Sequence, residues 1–177
     1  MQMFAAHERF DPSSGESWKN YIEWSGFKHI QELVSTDSIL CPSVIGDLID
    51  EDWDHNIHED FKTYFFHGFE YLKQRIGYDP KQHNLLSIIT GPSSPTIPKE
   101  SFEFCGYDIL DSDDSISVLT NCGEFPEIFT RSELNKYGLL NELPHADRMA
   151  SVIREKYPDE HHCCDCRVWS LSRYTGL

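Results

Sequence analysis

The strongest β pattern in the chain lies between residues 102 and 120. Residues 102–110 are rich in aromatic and β-branched side chains and are apolar on both faces, as expected for a central strand. Residues 111–114 are four short polar side chains that readily bond their own backbone, so they predict a turn. Residues 115–120 then predict the return strand of a β-hairpin, around which we expect the rest of the chain to pack.

Two long helices are predicted from apolar residues that recur at helical spacing. The stripe over residues 60–76 is mainly aromatic, and Gly77 would end this helix. The second helix covers residues 144–157. It begins with a proline, which the first turn of a helix tolerates, and Pro158 would stop it.

Shorter helices are predicted where a capping box opens a segment. Ser13 and Glu16 fit such a box, and Gly26 would close the helix that follows. Thr130 and Glu133 fit a second box, which predicts a short helix there.

Two further apolar runs, residues 84–90 and 164–174, complete a sheet of about four strands, mainly antiparallel. The two long helices would cover this sheet, and the N-terminal helices would pack outside it, so we predict an α+β fold. A chain of 177 residues suffices for one domain with a hydrophobic core. We predict a single domain that comprises a flexible arm (1–12), a mainly helical part (13–77) and a part with the sheet and further helices (84–174).

The charge of the chain narrows the classes of partner. Fifteen Lys and Arg residues face thirty Asp and Glu residues, which gives a net charge of −15. Such a field repels nucleic acids and anionic membranes and attracts basic proteins. The sequence has no apolar run of membrane-spanning length and no secretory signal pattern, so we expect a cytoplasmic protein whose cysteines are thiols.

The acidic residues fall into two blocks that contain no Lys or Arg. One block covers residues 47–60 and the other covers residues 103–127. If the fold brings the two blocks together, they would form one negative surface, with aromatic side chains as apolar anchors. The candidate partner-binding residues are Asp50, Glu51, Asp52, Trp53, Asp54, Tyr107, Asp111, Asp113, Asp114, Glu124 and Phe125.

Two clusters contain residue types that bind metals, yet neither has the spacing of a known kind of site. Residues 161–166 (HHCCDC) lack the two well-separated ligand pairs of a structural zinc site. His55 and His58 would lie one helical turn apart, but a metallohydrolase helix has the order H-E-x-x-H. We therefore predict no metal and no cofactor. Buried thiols and surface histidines are the alternative interpretation of residues 161–166.

Motifs for other catalytic mechanisms are absent from the sequence. It contains no G-x-S-x-G, and the loop at residues 91–99 is rich in proline and lacks the P-loop pattern. We therefore predict a protein that is not an enzyme. Two alternatives stay open, namely a metal-assisted enzyme that uses His55, His58 or the 161–166 cluster, and a regulatory or chaperone-like adaptor.

Two segments resemble parts of small bacterial proteins: GYDILDSDDSISVLTNCGEFPEIF (residues 106–129) and CRVWSLSRY (residues 166–174). In overall type the chain is similar to bacterial immunity proteins, which neutralise toxins and are commonly small, acidic, cytosolic and α+β. The resemblance covers about residues 84–174 and assigns no role to any residue. It implies an inhibitor that binds and occludes a basic toxin or effector domain.

Overall fold

A computed structural model describes residues 2–44, 65–97, 99–111, 116–122 and 127–176. Over these residues the chain has the predicted α+β fold, with a four-stranded antiparallel sheet and three α-helices. The strands are β1 (Gln2–Glu8), β2 (His83–Thr90), β3 (Phe102–Leu110) and β4 (Arg167–Tyr174). The helices are α1 (Glu16–Ser25), α2 (Phe69–Arg75) and α3 (Leu143–Lys156).

The strand order in the sheet is β1-β2-β4-β3, so the last strand in the sequence lies between β2 and β3. Ile88 of β2 is opposite Met3 of β1 on one side and Leu171 of β4 on the other. On the far side of β4, Ser170 is opposite Tyr107 of β3. Five of the eight positions in each central strand, β2 and β4, are buried, because both faces of these strands are covered.

Each face of the sheet has its own cover. One face buries Met3, Leu86 and Leu171 against the segments that contain Val34 and Leu139. Helix α2 packs Leu72 against Leu85 on the opposite face, close to β1. Helix α3 lies beside β3 and β4 and buries an apolar stripe against them, made of Ala146, Met149, Ala150 and Ile153.

A β-bulge in β3 depends on a glycine. The register with β4 shifts between Phe104 and Gly106, and Gly106 has φ 143°. A Cβ atom at Gly106 would lie 2.6 Å from Cβ of Leu139 and 2.7 Å from the carbonyl oxygen of Leu140. Only glycine therefore lets the segment that carries Leu140 bond to β3, where the Tyr107 amide donates to the Leu140 carbonyl at 2.8 Å.

The N-terminal arm predicted for residues 1–12 is wrong. Residues 2–8 form β1, which pairs with β2 along its whole length. Four consecutive apolar residues, Met3 to Ala6, hide the alternation of a strand, and both faces of β1 are covered. After β1, a 3-10 turn at Pro12–Ser14 leads into α1.

The return strand predicted at residues 115–120 is also wrong. Among the described residues, one bridge, Leu110 with Ser117, links this segment to β3, and the Val118 amide donates to the Ile109 carbonyl at 2.8 Å. The chain then turns, and the Asn121 amide donates to the Ser117 carbonyl at 2.9 Å. The Ser117 amide points away from β3 in this register and donates to Oδ2 of Asp37 at 2.8 Å. Leu140 bridges Tyr107 on the edge of β3 where the return strand was expected, and β4 pairs with the other edge.

The predicted helix over residues 60–76 is shorter in the structure. Helix α2 begins at Phe69, and residues 60–64 lie outside the described part of the chain. Phe65 contacts Trp169 with ring centroids 5.5 Å apart, whereas Phe66 forms a bridge with Phe4. These two phenylalanines are therefore buried on opposite faces of the sheet, as consecutive residues of a strand are. They do not extend the apolar stripe of helix α2.

The remaining elements are near their predicted bounds. Strand β2, helix α3 and the first strand of the predicted hairpin, residues 102–110, are confirmed to within about a residue. Strand β4 begins at Arg167, because residues 163–165 form turns. Gly26 closes α1 in the left-handed conformation, as predicted, with φ 71°. The capping box predicted at Ser13 and Glu16 is wrong: α1 has Gly15 as its N-cap without a side-chain cap, and the capping box of Asp11 and Ser14 belongs to the preceding 3-10 turn.

Candidate functional site

A cleft of about 490 Å³ opens where β3 ends. Residues 116–122 form one wall, and the turns that follow α3 form the other. Its lining combines apolar, acidic and hydrogen-bonding side chains. The residues that line it are Ile39, Ile116, Asn121, Cys122, Tyr157, Glu160, His162 and Cys163.

Asp37 fixes two parts of the cleft from beneath. Its buried carboxylate accepts from the backbone amides of Ile39 and Leu40 at 2.9 and 2.8 Å. It also accepts from the Ser117 amide at 2.8 Å and from Nδ2 of Asn121 at 3.0 Å. One side chain therefore fixes the backbone of an exposed apolar residue together with the turn that contains Ser117 and Asn121.

Asp108 lies beside Asp37 and is also fully buried. Its carboxylate accepts from the hydroxyls of Ser35 and Ser117 at 2.6 and 2.7 Å and from the Ile109 amide at 2.8 Å. Burial raises the pKa of Asp108 to about 7, against the opposing effect of these hydrogen bonds. Five residues, which we call the aspartate network, share these bonds: Ser35, Asp37, Asp108, Ser117 and Asn121.

Asp111 and His162 form a pair at the wall of the cleft. Asp111 is buried, accepts from the Ile116 amide at 3.0 Å and accepts from Nδ1 of His162. The bond to Nδ1 fixes the ring orientation and leaves Nε2 for other contacts. The Tyr157 hydroxyl donates to Glu127, so a third carboxylate lies next to the cleft.

The cleft carries unbalanced negative charge. No Lys or Arg is present among the described residues that line it, whereas Glu160 lines it and Asp111 bonds to its wall. Burial, followed by the nearby Cys163 and Asp111, raises the pKa of the Cys122 thiol to about 12. The pKa of Cys163 is raised by burial and then by Glu160. Both thiols are therefore protonated at neutral pH, which argues against a nucleophilic cysteine.

Two exposed apolar side chains are attached to the same wall of the cleft. Ile39 lines the cleft with 67% of its surface exposed. Trp24 on α1 is 60% exposed, and its ring lies 6.0 Å from that of Tyr21, whose hydroxyl donates to the Thr120 carbonyl at 3.0 Å. Exposed large apolar residues beside charged groups are typical of protein-binding surfaces.

A second polar region lies at another part of the sheet and is balanced in charge. Oε2 of Glu32 accepts from Arg9 and Arg173, each at 2.7 Å, and Oε1 accepts from Asn84 at 2.8 Å. Arg173 also donates to Glu103 at 2.9 Å. Two arginines thus face two carboxylates in what we call the arginine network: Arg9, Glu32, Asn84, Glu103, Tyr137 and Arg173. A hollow of about 370 Å³ adjoins it, and we regard this region as structural.

The structure describes two of the eleven predicted partner-binding residues. Asp111 is buried at the wall of the cleft, and Tyr107 is buried with 2% exposed. The Tyr107 hydroxyl accepts from the Thr96 amide at 3.0 Å, so its ring is not available as an anchor and that prediction needs correction. The other nine lie outside the described residues: Asp50, Glu51, Asp52, Trp53, Asp54, Asp113, Asp114, Glu124 and Phe125.

Sequence reasoning missed Ile39, Asp37 and Glu160 as contributors to the site. Ile39 lies in Ser38 to Pro42, a short apolar connector that a proline ends. Nothing local distinguishes Asp37, because its partners at 117 and 121 are about eighty residues away. The sequence did single out His162, but as a possible metal ligand.

The described residues contain no group of three or more His, Cys, Asp or Glu side chains placed to hold a metal ion. Within the 161–166 cluster, Cys163 and Cys166 are buried while His161 and Cys164 are exposed. His55 and His58 lie outside the described residues. The cluster therefore has the mixture of buried thiols and surface histidines of the alternative interpretation.

Comparisons of the chain with protein-family models, curated proteins and solved structures found no match. None of the helices in the described ranges has the length and apolar character needed to cross a membrane. What the fold and the site define is an α+β protein with a negatively charged cleft, an Asp–His pair in its wall and exposed apolar residues beside it.

Proposed function

We propose that this protein is an acidic protein-binding module that binds a basic partner and occludes the partner's active surface. The class of partner that we propose is a bacterial toxin or effector domain, which would make this chain an immunity-type inhibitor that acts in the cytoplasm. Neutralisation would be stoichiometric, because occlusion requires one inhibitor for each toxin molecule.

The observation that carries this proposal is the unbalanced charge of the cleft together with its exposed apolar residues. A negative cleft in a chain of net charge −15 attracts a basic protein from a distance and orients it. Ile39 and Trp24 add apolar area that water solvates poorly and that a partner would cover. Charge and exposed apolar area therefore favour the same surface.

The predicted acidic residues extend this proposal along the chain. Asp113 and Asp114 follow Asp111 by two and three residues, and Glu124 follows Cys122 by two. Since both Asp111 and Cys122 belong to the cleft region, we propose that these three acids contribute to the same interface. The block Asp50 to Asp54 is the second proposed contribution, with Trp53 and Phe125 as aromatic anchors.

The first test is to capture the partner and then measure inhibition. Immobilised protein is incubated with lysate of the source cell at about 50 and about 300 mM salt, and retained proteins are identified by mass spectrometry. We expect one basic protein, bound at 1:1, whose capture weakens at the higher salt. The partner's own activity, measured in a titration, should fall to zero at one equivalent.

Charge reversal tests the proposed interface. Asp113→Lys with Asp114→Lys, and separately Asp50→Lys with Asp52→Lys, should each weaken partner binding by about tenfold or more at low salt. Glu16→Lys with Glu23→Lys is the matched control, because both are exposed on α1 and the net charge changes equally. If both interface pairs bind like the control pair, only overall charge matters and the proposed interface is wrong.

A second candidate function is an enzyme, and the Asp111–His162 pair favours it. A histidine oriented by a buried carboxylate at the wall of a cleft is a common general-base arrangement. The metal-assisted form of this candidate requires stoichiometric metal in the purified protein, which elemental analysis measures. A regulatory adaptor is the third candidate. It would give several weak partners in the capture experiment where an inhibitor gives one.

A further inference from the structure

We propose that the cleft receives a basic side chain of the partner, with the aliphatic stem against Ile39 and the charged head beside Glu160 and the Asp111–His162 pair. This inference rests on the proposed function and makes it specific, because it names the part of the partner that enters and the place where it binds. The expected partner segment presents a lysine or arginine flanked by apolar residues.

The two walls of the cleft suit the two halves of such a side chain. Ile39, Ile116 and Cys122 form an apolar part, while Tyr157, Glu160 and His162 form a polar part. Lysine and arginine combine an apolar stem with a charged head and bind best where both are matched. The cleft volume of about 490 Å³ also lies within the range typical of binding sites.

The sign of the charge selects a cation as the occupant. Glu160 faces the cleft, Asp111 lies behind His162, and Glu127 accepts from Tyr157. Among the described lining residues, His162 is the one group that can become positive, and its Nδ1 is already bonded to Asp111. An anionic ligand would meet these carboxylates with no lysine or arginine among the described lining residues, whereas a cation would be attracted.

The exposed isoleucine is held in place before anything binds. Asp37 accepts from the amides of Ile39 and of Leu40, so the backbone that presents Ile39 is fixed by charged hydrogen bonds. The same carboxylate accepts from Nδ2 of Asn121, which also lines the cleft. A preorganised cleft loses little conformational entropy when a side chain enters it.

A short peptide tests the inference without the partner. The tripeptide acetyl-Leu-Arg-Leu-amide is titrated into the ¹⁵N-labelled protein and followed by NMR. Its comparison peptide carries citrulline in place of arginine, because citrulline has nearly the same shape and no charge. We expect shift changes confined to residues 116–122 and 160–163, at least about threefold weaker binding of the citrulline peptide, and weaker binding of the arginine peptide at higher salt.

Matched variants assign the two halves of the side chain. Glu160→Gln and Ile39→Ala should each weaken binding of the arginine peptide by about threefold or more. The controls are Glu16→Gln, an exposed acid on α1, and Ile97→Ala, an isoleucine that is 89% exposed outside the cleft lining. The inference is overturned if shift changes map elsewhere, if citrulline binds as well as arginine, or if the control variants weaken binding as much.

The same variants separate this inference from the proposed function. If the captured partner binds Glu160→Gln and Ile39→Ala with unchanged affinity, the cleft is not the place where a basic side chain enters, although the inhibitor function stands. If no basic partner is captured while the peptide binds the cleft, the proposed function fails and the cleft is a cation-binding site of another kind.

Discussion

The arginine network and the aspartate network both lie along one face of the sheet, yet they balance their carboxylates in different ways. Asn84, Asp108 and Arg173 share that face because the strand register places their side chains on the same side. In the arginine network Glu32 is bonded to two guanidinium groups. In the aspartate network Asp108 is bonded only to hydroxyls and an amide among the described residues.

The difference lies in how each network compensates its buried carboxylates. Ion pairs neutralise the carboxylates of the arginine network, so this network adds little to the external field. The Asp108 carboxylate has only neutral donors among the described residues, and burial raises its pKa to about 7. The aspartate network is the one next to the cleft.

The largest expected effect comes from breaking the balanced network. Arg173→Gln removes the cation that Glu32 and Glu103 share and leaves Glu32 buried with one arginine fewer. We expect the free energy of unfolding to fall by about 3–5 kcal/mol, measured by urea denaturation. Arg167→Gln on the same strand is exposed and should cost less than about 1 kcal/mol. Equal costs for the two variants would show that the network is not a buried ion pair.

The next effect comes from removing the charge of Asp108. Its folded pKa of about 7 lies above the ordinary pKa of 3.8 for an aspartate, so the carboxyl stabilises the fold while protonated and loses that contribution as pH rises from about 4 to 7. Asp108→Asn has nothing to ionise. As pH rises from 4 to 8, the free energy of unfolding of this variant should increase by about 4 kcal/mol relative to that of wild type, measured by denaturation at several pH values. A difference independent of pH would contradict the raised pKa.

A smaller effect of opposite sign is expected at His7 of β1, beside the arginine network. Its Nδ1 donates to the Cys41 carbonyl at 2.5 Å, and burial lowers its pKa from 6.5 to about 4. The unfolded chain binds a proton below pH 6.5 that the folded protein does not, so this group destabilises the fold as pH falls from 6.5 to 4.

His7→Asn retains an N–H donor without a titratable ring. As pH falls from 7 to 4, the free energy of unfolding of this variant should increase by about 3 kcal/mol relative to that of wild type, in the same denaturation series. Because His7 and Asp108 act in opposite directions over nearly the same pH range, their contributions should largely cancel in the wild-type protein. If the free energy of unfolding of His7→Asn relative to wild type stayed constant or decreased as pH falls from 7 to 4, the lowered pKa of His7 would be contradicted.

The parts of the fold that were predictable have local causes. Strand β3 and helix α3 follow from aromatic and apolar spacing within about ten to fifteen residues, and the capping box at Thr130 and Glu133 needs only four. The predicted return strand is wrong because the chain turns after Ser117, and Leu140 from a distant segment bridges Tyr107 on that edge of β3. Strand β1 failed because Ala5 and Ala6 are small apolar residues on both faces, so no alternation is visible.

The candidate site was less predictable than the fold, because its residues come from separate segments. Asp111 and His162 are 51 residues apart in the sequence, and no local pattern around either residue predicts that the two side chains bond. The sign of the charge was predictable from composition, and the region was partly predictable from the acidic block at residues 103–127. The burial of Tyr107 depends on the bulge at Gly106. The exposure of Ile39 depends on the hydrogen bonds that Asp37 accepts.

The position of β4 in the sheet has a consequence for synthesis. Strands β2 and β3 pair with β4 and not with each other. The ribosome makes β4 (residues 167–174) after β1, β2 and β3. Until then β2 and β3 each keep one edge without its partner, and exposed edges invite aggregation. Ribosomes that stall before residue 167 should therefore yield chains that chaperones retain, and the sheet closes only when the last strand has been made.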